Sequence, residues 1–292
     1  MTFTYIVFYH SPCNDGELAK IIWEMNNMNS IFYKWNHAYT EAACDILKNI
    51  NEPSEIVFLD VCPKLELLPI IHKYHIIDHH KDAINSMKEN LDLVKYDITM
   101  HCDITKSGCM LTWNYCKPNL EYPLIVRHVG NKDIWNFSDN NTEPYCIGLN
   151  DYLDYYNSSG DSRPSIIKVL LNDDNLLLHE AIIKSGIKII ETNKIKALEY
   201  FNIIAFNTET LDNITYNIID IECTDSTMYK YLIDYASSKY NNMDILRILH
   251  IKKTDRNIYS MRSLKDNIMV DNIARKYGGN GHPKAAGYTV LF

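Results

Sequence analysis

The sequence predicts a doubly wound α/β fold with a parallel sheet, and two observations support this. Short apolar runs in the first third of the chain are near-continuous rather than alternating, as expected for parallel strands buried on both faces. Amphipathic stretches follow most of these runs and are typical of crossover helices. The strand-like runs are 5–9, 31–35, 56–59 and 75–77, and the helical stretches are 16–27, 41–49 and 64–72.

The second half of the chain predicts a smaller α/β domain. Turn-rich segments between 136 and 164 are followed by helical periodicity over 166–199. Strand-like runs then recur at 201–206, 216–221, 245–250 and 258–261. We therefore predict three parts: a first domain at 1–150, linker helices at 151–195 and a C-terminal α/β domain at 196–292.

Length, charge and cysteine content limit the class of protein. The 292 residues suffice for two domains, each with its own core. A formal net charge of -8 argues against binding long duplex nucleic acid, but leaves small anions and short single strands as partners. Eight cysteines without a C-x-x-C pair indicate reduced thiols and a cytoplasmic location. We find no signal-peptide pattern and no apolar run near the roughly 20 residues of a membrane span, so we expect no membrane association.

Polar side chains that bind metals or transfer protons follow three of the predicted strands. They are His10, Cys13 and Asp15 after the first strand, Asp60 after the 56–59 strand, and Asp78, His79 and His80 after the 75–77 strand. In an open parallel sheet, ligands bind beyond the carboxyl ends of the strands. We therefore expect these carboxylates and imidazoles to meet at one edge of the sheet.

Such a cluster indicates a metal centre. Packed carboxylates repel one another and raise each other's pKa unless cations neutralise them. Mixed aspartate and histidine ligands suit Mn²⁺ or a similar divalent ion. Two such ions, about 3.5–4 Å apart, can hold a hydroxide and a phosphoryl group during in-line displacement. A single Asp at a strand end is more often a cap or turn residue, but the joint occurrence favours the metal centre.

Six segments toward the two ends of the chain carry recognisable motifs: Ile76-Ile77-Asp78-His79-His80-Lys81, 10–16 (H-x-x-C-x-D-G), 58–60, 107–108, 131–135 and the glycine-rich 278–287. The 76–81 segment resembles the signature of the DHH phosphoesterase superfamily. The others resemble further motifs of that superfamily and of its associated DHHA1 domain, in the family's order. The form of the first motif resembles that of a subgroup with NanoRNase-like and RecJ-like relatives. The stretch from about 140 to 250 carries little of the resemblance.

The resemblance implies a two-metal enzyme that uses Mn²⁺. His10 is implied to bind one ion, and Asp60 to bridge the two ions. The implied ligands of the second ion are Asp15, His79 and Asp133.

Three further residues receive implied roles around these ligands. His80 would donate a hydrogen bond or a proton to the leaving or bridging oxygen. Asp78 would lie behind the metal ligands and orient the imidazoles. Ser107 begins a helix whose N-terminus could receive a phosphate.

Cys13 departs from the commoner pattern, in which many members have Asp. A thiolate at this position would favour a softer ion than Mn²⁺ at the first metal site. A neutral thiol would leave that site one ligand short. Both alternatives stay open at the level of the sequence, as does the use of another divalent ion on this side.

The glycine-rich C-terminal segment predicts an anion-binding element. Gly279 and Gly281 let the backbone approach a ligand closely, while His282 and Lys284 add hydrogen-bond donors. Arg262 resembles the phosphate-binding arginine of the family. Residues 256–292 contain six Lys and Arg against two Asp, a local reversal of sign in an acidic chain. Taken alone, the segment would be a turn between a helix and a final strand.

The expected function is phosphodiester hydrolysis by a metal-bound hydroxide. Short single-stranded oligonucleotides are the leading candidate substrates. The alternatives are a cyclic-dinucleotide phosphodiesterase, a nucleotide 3′-phosphatase, and a non-enzymatic relative that binds nucleic acid or a partner. The near-complete ligand set argues against this last alternative. An oligomer is compatible with the sequence.

Other aromatic residues and histidines are not assigned to the site. Trp23, Trp113 and Trp135 lie at apolar spacings and are expected in the core. His72 and His75 lie in or beside periodic segments and are expected to be packed side chains or surface residues.

Overall fold

The chain folds into two compact units, Met1–Ile187 and Lys188–Phe292. A computed structural model describes residues 5–26, 29–36, 41–91, 95–159, 163–172, 175–211 and 213–292. Among these described residues, no helix is both long and apolar enough to cross a membrane.

The first unit is built on a five-stranded sheet in the order β2-β1-β3-β4-β5. Its strands, all paired in parallel, are β1 (Tyr5–His10), β2 (Ser30–Trp35), β3 (Glu55–Leu59), β4 (Lys73–Asp78) and β5 (Asp97–Cys102). The chain leaves β1 toward β2 on one side and returns to β3 on the other. The strand order thus reverses between β1 and β3, and the carboxyl ends of these strands flank a crevice there.

Helices cover both faces of this sheet. They are α1 (Asn14–Asn26), α2 (Glu41–Lys48), α3 (Lys81–Asn90), α4 (Gly108–Cys116), α5 (Leu124–Asp133), α6 (Thr142–Ser159), α7 (Arg163–Leu170) and α8 (Leu176–Tyr200). Val7 and Leu59 face a core shared with α1, α4 and α5, whereas Phe8 and Phe58 face the opposite core with α2. Burial on both faces explains why the strands are continuously apolar.

Two details of the first unit differ from the sequence-based expectation. The 64–72 segment is a single 3-10 turn, Leu65–Leu67, rather than a crossover helix. Pro69 accounts for this, because it lacks the N–H that would continue the helix. The strand β5 was not predicted, because its edge position leaves it only partly buried and polar residues interrupt it.

The second unit holds a six-stranded mixed sheet in the order β10-β11-β9-β8-β7-β6. The strands are β6 (Ala205–Leu211), β7 (Ile214–Glu222), β8 (Ile245–Lys252), β9 (Arg256–Ser263), β10 (Asn280–His282) and β11 (Ala285–Leu291), with the helices α9 (Tyr229–Lys239) and α10 (Val270–Lys276). Leu232 of α9 and Ile273 of α10 lie in two separate cores. The predicted fold class, a parallel-sheet α/β domain with a second α/β domain, is confirmed.

The helices predicted as a linker pack largely on the first unit. Leu153, Leu170 and Ile182 belong to the same core as β1 and α1. The boundary between the units falls at 187/188, within α8 and before the predicted start of the second domain at 196.

Candidate metal centre

The carboxyl ends of β1, β3 and β4 bring the predicted side chains together. His10 is the last residue of β1, and Asp78 is the last residue of β4. Asp60 directly follows β3, and its N–H donates to the carbonyl of Ile77 at 2.9 Å. Asp15 lies in the first turn of α1, which begins close to the end of β1. The crevice at the reversal of strand order is therefore the place where these residues meet.

Asp60 lies at the centre of the cluster and is only 1% exposed. One of its oxygens, Oδ2, lies 3.2 Å from Nδ1 of His10. The other, Oδ1, lies 3.2 Å from Nε2 of His79, and this nitrogen is also 3.2 Å from Oδ2 of Asp133. Asp60 has a φ of 58°, in the left-handed region that aspartate adopts more readily than most residues.

Asp15 is held by the N-terminus of α4. Its carboxylate accepts hydrogen bonds from the N–H of Gly108 at 2.6 Å and of Cys109 at 3.0 Å. Ser107, the N-cap of α4, is fully buried, and its hydroxyl accepts from the N–H of Met110. The start of α4 thus binds a carboxylate of this chain, and the phosphate contact of Ser107 stays a prediction.

Asp78 and His80 form a second pair beside Asp60. Oδ1 of the fully buried Asp78 lies 2.7 Å from Nδ1 of His80. The imidazole of His80 is 34% exposed and its ring centre lies 4.5 Å from that of His79. The hydrogen bond to Asp78 raises the pKa of His80. The buried carboxylate therefore orients an imidazole that reaches the surface.

The carboxylates concentrate negative charge that the histidines only partly offset. Burial raises the pKa of Asp15 to about 7, and the charges of Asp60 and Asp133 add to this effect. Burial and Asp60 together also raise the pKa of Asp133. Burial would raise the pKa of Asp60 as well, but hydrogen bonds with His10 and His79 outweigh it and lower this pKa. The Asp60 contact raises the pKa of His10 to about 10.

The donor set fits divalent cations. Ligand atoms lie within 4.8 Å of one another in three groups: His10, Cys13 and Asp60; Asp15, His79 and Asp133; and Asp60, Asp78, His79 and His80. Among the described residues, Oδ2 of Asp78 is buried without a hydrogen-bond partner, and Oδ1 of Asp60 has Nε2 of His79 at 3.2 Å. Buried carboxylate oxygens need such a partner, and a cation supplies one. The assignment of individual ligands to individual ions stays a prediction.

The second unit aligns two of the predicted substrate-binding residues. Ala285 of β11 pairs with Arg262 on β9 and with His282 on β10. Paired residues project from the same face of a sheet, so Arg262 and His282 flank the small Ala285 side chain. The Arg262 guanidinium lies 5.6 Å from the centre of the Tyr229 ring and donates to the carbonyl of Met261 at 2.9 Å. Burial lowers the pKa of Arg262.

The glycines of the C-terminal hairpin have a packing role. A Cβ on Gly279 would lie 2.0 Å from the carbonyl oxygen of Gly287, and Gly281 has a φ of 147°. Both positions therefore require glycine whether or not an anion binds there. Nζ of Lys284 donates to the carbonyl of Lys265 at 2.7 Å.

An aromatic pair that the sequence did not indicate lies in one cleft with Asp15 and Asp133. Trp135 was expected in the core, but it is 82% exposed, whereas Trp23 is 1% exposed. Phe137, 41% exposed, contacts it with a ring-centre distance of 6.0 Å. The expectation for Trp135 was wrong because tryptophan is usually buried and its apolar spacing gave no other indication.

Comparisons with known proteins show what the chain is similar to. No protein-family model matches it. The uncharacterized protein R106 of Acanthamoeba polyphaga mimivirus is 24% identical, with 97% of this chain and 66% of that protein covered. The chain thus spans slightly less than two thirds of the curated relative that it matches.

Solved structures extend the comparison to the fold. The pGpG-specific phosphodiesterase PggH of Vibrio cholerae aligns with a TM-score of 0.50 at 11% identity, covering 100% of this chain and 94% of that one. The likeness shows a shared fold. An uncharacterized protein of Helicobacter pylori G27 aligns with a TM-score of 0.45 at 14% identity, covering 99% and 93% of the two chains.

Proposed function

We propose that this protein is a divalent-metal-dependent phosphoesterase. The observation that carries the proposal is the position of Asp60, whose two oxygens face His10 and His79 at the carboxyl edge of the sheet. Asp15 and Asp133 add two further carboxylates at the same place. All five residues lie in segments that resemble motifs of the DHH superfamily. His10 and Asp15 lie in the first motif, Asp60 in the second, His79 in the DHH signature and Asp133 in a later motif.

The residues divide the chemistry between binding and proton transfer. Two divalent ions would supply an activated hydroxide and neutralise a phosphoryl group. The carboxylate of Asp78 accepts a hydrogen bond from Nδ1 of His80. This leaves Nε2 as the ring nitrogen that interacts with a substrate oxygen. His80 then donates a hydrogen bond or a proton to the leaving or bridging oxygen. Asp15, anchored on α4, keeps its carboxylate at the centre without depending on a flexible loop.

The proposed substrates are phosphodiesters in short single-stranded oligonucleotides. The fold is shared with an enzyme described as specific for pGpG, which supports a dinucleotide-sized substrate. The net charge of -8 disfavours long duplexes. In this proposal Arg262 and His282 of the second unit bind a phosphate. Hydrolysis of cyclic dinucleotides or of a nucleotide 3′-phosphate is the alternative within the same chemistry.

Mn²⁺ is the proposed ion at both sites. A softer divalent ion is the alternative at the site next to Cys13. Carboxylate and imidazole ligands suit Mn²⁺, whereas a thiolate ligand favours softer ions. The thiol lies in the group with His10 and Asp60 rather than with Asp15. Metal selectivity is therefore expected to differ between the two sides of Asp60.

A hydrolysis panel with bound-metal analysis tests the proposal. The full chain is incubated with Mn²⁺ and a ribodinucleotide, a longer single strand, a cyclic dinucleotide or 3′-phosphoadenosine 5′-phosphate. We expect turnover of at least one of these, with the ribodinucleotide fastest. His79→Ala and Asp133→Ala should lose both metal and activity. A chain that turns over none of the four substrates and binds no metal in calorimetry contradicts the proposal and favours a non-enzymatic binding role.

A further inference from the structure

Trp135 occupies a backbone position that favours glycine. It lies two residues after Asp133, the last residue of α5, and has a φ of 57°. The N–H of Asn136 donates to the carbonyl of Asn131 at 2.7 Å, and the N–H of Trp135 donates to that of Lys132 at 3.2 Å. These are the two bonds of a Schellman cap, whose left-handed residue is most often glycine. A side chain there is destabilised because its Cβ crowds a carbonyl oxygen.

Burial does not compensate for this strain. The Trp135 side chain is 82% exposed, and its neighbour Phe137 is 41% exposed. The two rings meet at 79° with their centres 6.0 Å apart. Side-chain hydrogen bonds from Asn136 to Asn131 and from the N–H of Ser138 to Asn136 hold the intervening loop. Two solvent-facing aromatic rings on a strained, well-tethered loop indicate a function rather than a contribution to stability.

The aromatic pair lines the same cleft as three of the predicted metal ligands. This cleft, of about 300 Å³, lies within the first unit, and its walls include Cys13, Asp15, Lys132, Asp133, Trp135 and Phe137. A substrate with a phosphoryl group beside Asp133 can therefore place an attached group against the two rings.

We propose that Trp135 and Phe137 form a stacking platform for a nucleobase of the substrate. The inference rests on the proposed function and narrows it to base-containing nucleotides, rather than inorganic polyphosphates or sugar phosphates. Aromatic side chains stack with any base, because every base presents a π face. Lys132, on the same wall, supplies a cation for the phosphate that links the base to the centre.

The surroundings of the pair favour a small planar ligand over a protein partner. The rings form part of the wall of a cleft and lie beside charged side chains of the metal centre. Protein interfaces instead place such anchors at the centre of an apolar patch of several hundred Å² on each partner. The platform is thus suited to a base rather than to a second chain.

Tryptophan fluorescence tests base stacking without any need for turnover. Of the four tryptophans, Trp23 and Trp35 are each 1% exposed and Trp113 is partly buried, whereas Trp135 is 82% exposed. We expect AMP to quench the fluorescence of the wild-type protein and ribose 5-phosphate, which lacks the base, to leave it unchanged. In Trp135→Phe the quenching by AMP should disappear. Quenching of equal size in Trp135→Phe overturns the proposal.

Steady-state kinetics tests the same platform during hydrolysis. For the dinucleotide pApA with Mn²⁺, we expect Trp135→Ala to raise KM roughly tenfold or more, the range that stacking of one base provides. Trp135→Phe, which keeps an aromatic ring, should restore part of the loss. For a matched dinucleotide with one abasic site, wild type and Trp135→Ala should differ far less.

The outcomes separate this inference from the proposed function. Hydrolysis of pApA with unchanged KM in Trp135→Ala and Phe137→Ala overturns the platform and leaves the phosphoesterase intact. Absence of any hydrolysis with retained quenching by AMP contradicts the proposed function instead. A change in oligomeric state of Trp135→Ala with unchanged nucleotide binding assigns the pair to a protein interface and also overturns the proposal.

Discussion

Gly108 packs directly against the carboxylate of Asp60. A Cβ placed on Gly108 would lie 2.4 Å from Cβ of Asp60 and 2.7 Å from its Oδ1. The N–H of Gly108 also donates to Asp15 at 2.6 Å. A single residue at the start of α4 therefore positions two carboxylates of the candidate metal centre.

We expect Gly108→Ala to impair both metal binding and hydrolysis. The added methyl group forces Asp60 away from His10 and His79, since the backbone of α4 is fixed by its bonds to Asp15. A misplacement on the order of 1 Å in a catalytic group can cost about 100-fold in rate. Calorimetric titration with Mn²⁺ and the rate of dinucleotide hydrolysis measure the two effects.

Gly148→Ala is the matched control for general destabilisation. Its Cβ would lie 1.9 Å from the carbonyl oxygen of Ile182, at the contact between α6 and α8. This variant should have a lower Tm but an unchanged number of bound ions. Equal loss of metal in both variants would show that the Gly108 effect is not specific to Asp60.

The strand-end residues of the site were predictable from the sequence, because an apolar strand and the direction of a parallel sheet determine where its carboxyl end lies. His10, Asp60 and Asp78 follow from this rule alone. Asp133 does not, since it lies at the end of a helix far along the chain, and only the resemblance to a family indicated it. The contact of Asp15 with α4 could not be predicted from the sequence either, because it depends on the tertiary packing of two helices.

Trp135 illustrates a different limit. Hydrophobic spacing cannot distinguish a core residue from one at a helix C-cap, and the left-handed backbone at this position becomes visible only in the structure. The edge strand β5 and the 3-10 turn at Leu65–Leu67 likewise depend on context that periodicity does not contain.

Substitution of His80 is expected to impair catalysis, whereas substitution of His79 is expected to impair metal binding. His80→Ala should lower kcat by roughly 100-fold or more, the usual contribution of a positioned acid or base, with both ions retained. His79→Ala should lose metal, because His79 contacts both Asp60 and Asp133. Inductively coupled plasma mass spectrometry of the purified variants measures the ions. Loss of an ion in His80→Ala would assign His80 to the ligands.

Cys13 should control which ion binds next to His10. Cys13→Asp replaces a soft sulfur by a hard oxygen, so Mn²⁺ affinity should rise relative to that of Cd²⁺. Cys13→Ala should reduce the number of tightly bound ions from two toward one. Competition titrations with the two metals check both expectations. Unchanged affinity and activity in both variants would make Cys13 a bystander.

Mn²⁺ should stabilise the folded protein because it neutralises the carboxylates around Asp60. Ligand at 100 times its Kd adds about 2.7 kcal/mol to the free energy of unfolding. For a unit of this size, that corresponds to a rise in Tm of roughly 5–10 °C. Thermal unfolding with and without Mn²⁺ measures the shift, and EDTA should reverse it. A shift of the same size in His79→Ala would place the stabilising ion elsewhere.

Trp135 is expected to favour binding at the expense of stability, and two substitutions separate these effects. Trp135→Ala removes the ring but keeps a Cβ in the left-handed region. Trp135→Gly removes both, and the steric cost of about 1–2 kcal/mol for a side chain there exceeds the entropy cost of about 0.5–1 kcal/mol for glycine. Denaturant unfolding should therefore show Trp135→Gly to be more stable than Trp135→Ala, by up to about 1.5 kcal/mol.

Both variants should show the same increase in KM for pApA, because both lack the ring. The pair of measurements then assigns the loss of stability to the backbone and the loss of binding to the indole. A less stable Trp135→Gly would mean that the left-handed position is not strained. Since the indole is 82% exposed, its removal sacrifices little buried area, and a large fall in the stability of both variants would instead mean that Trp135 packs in solution.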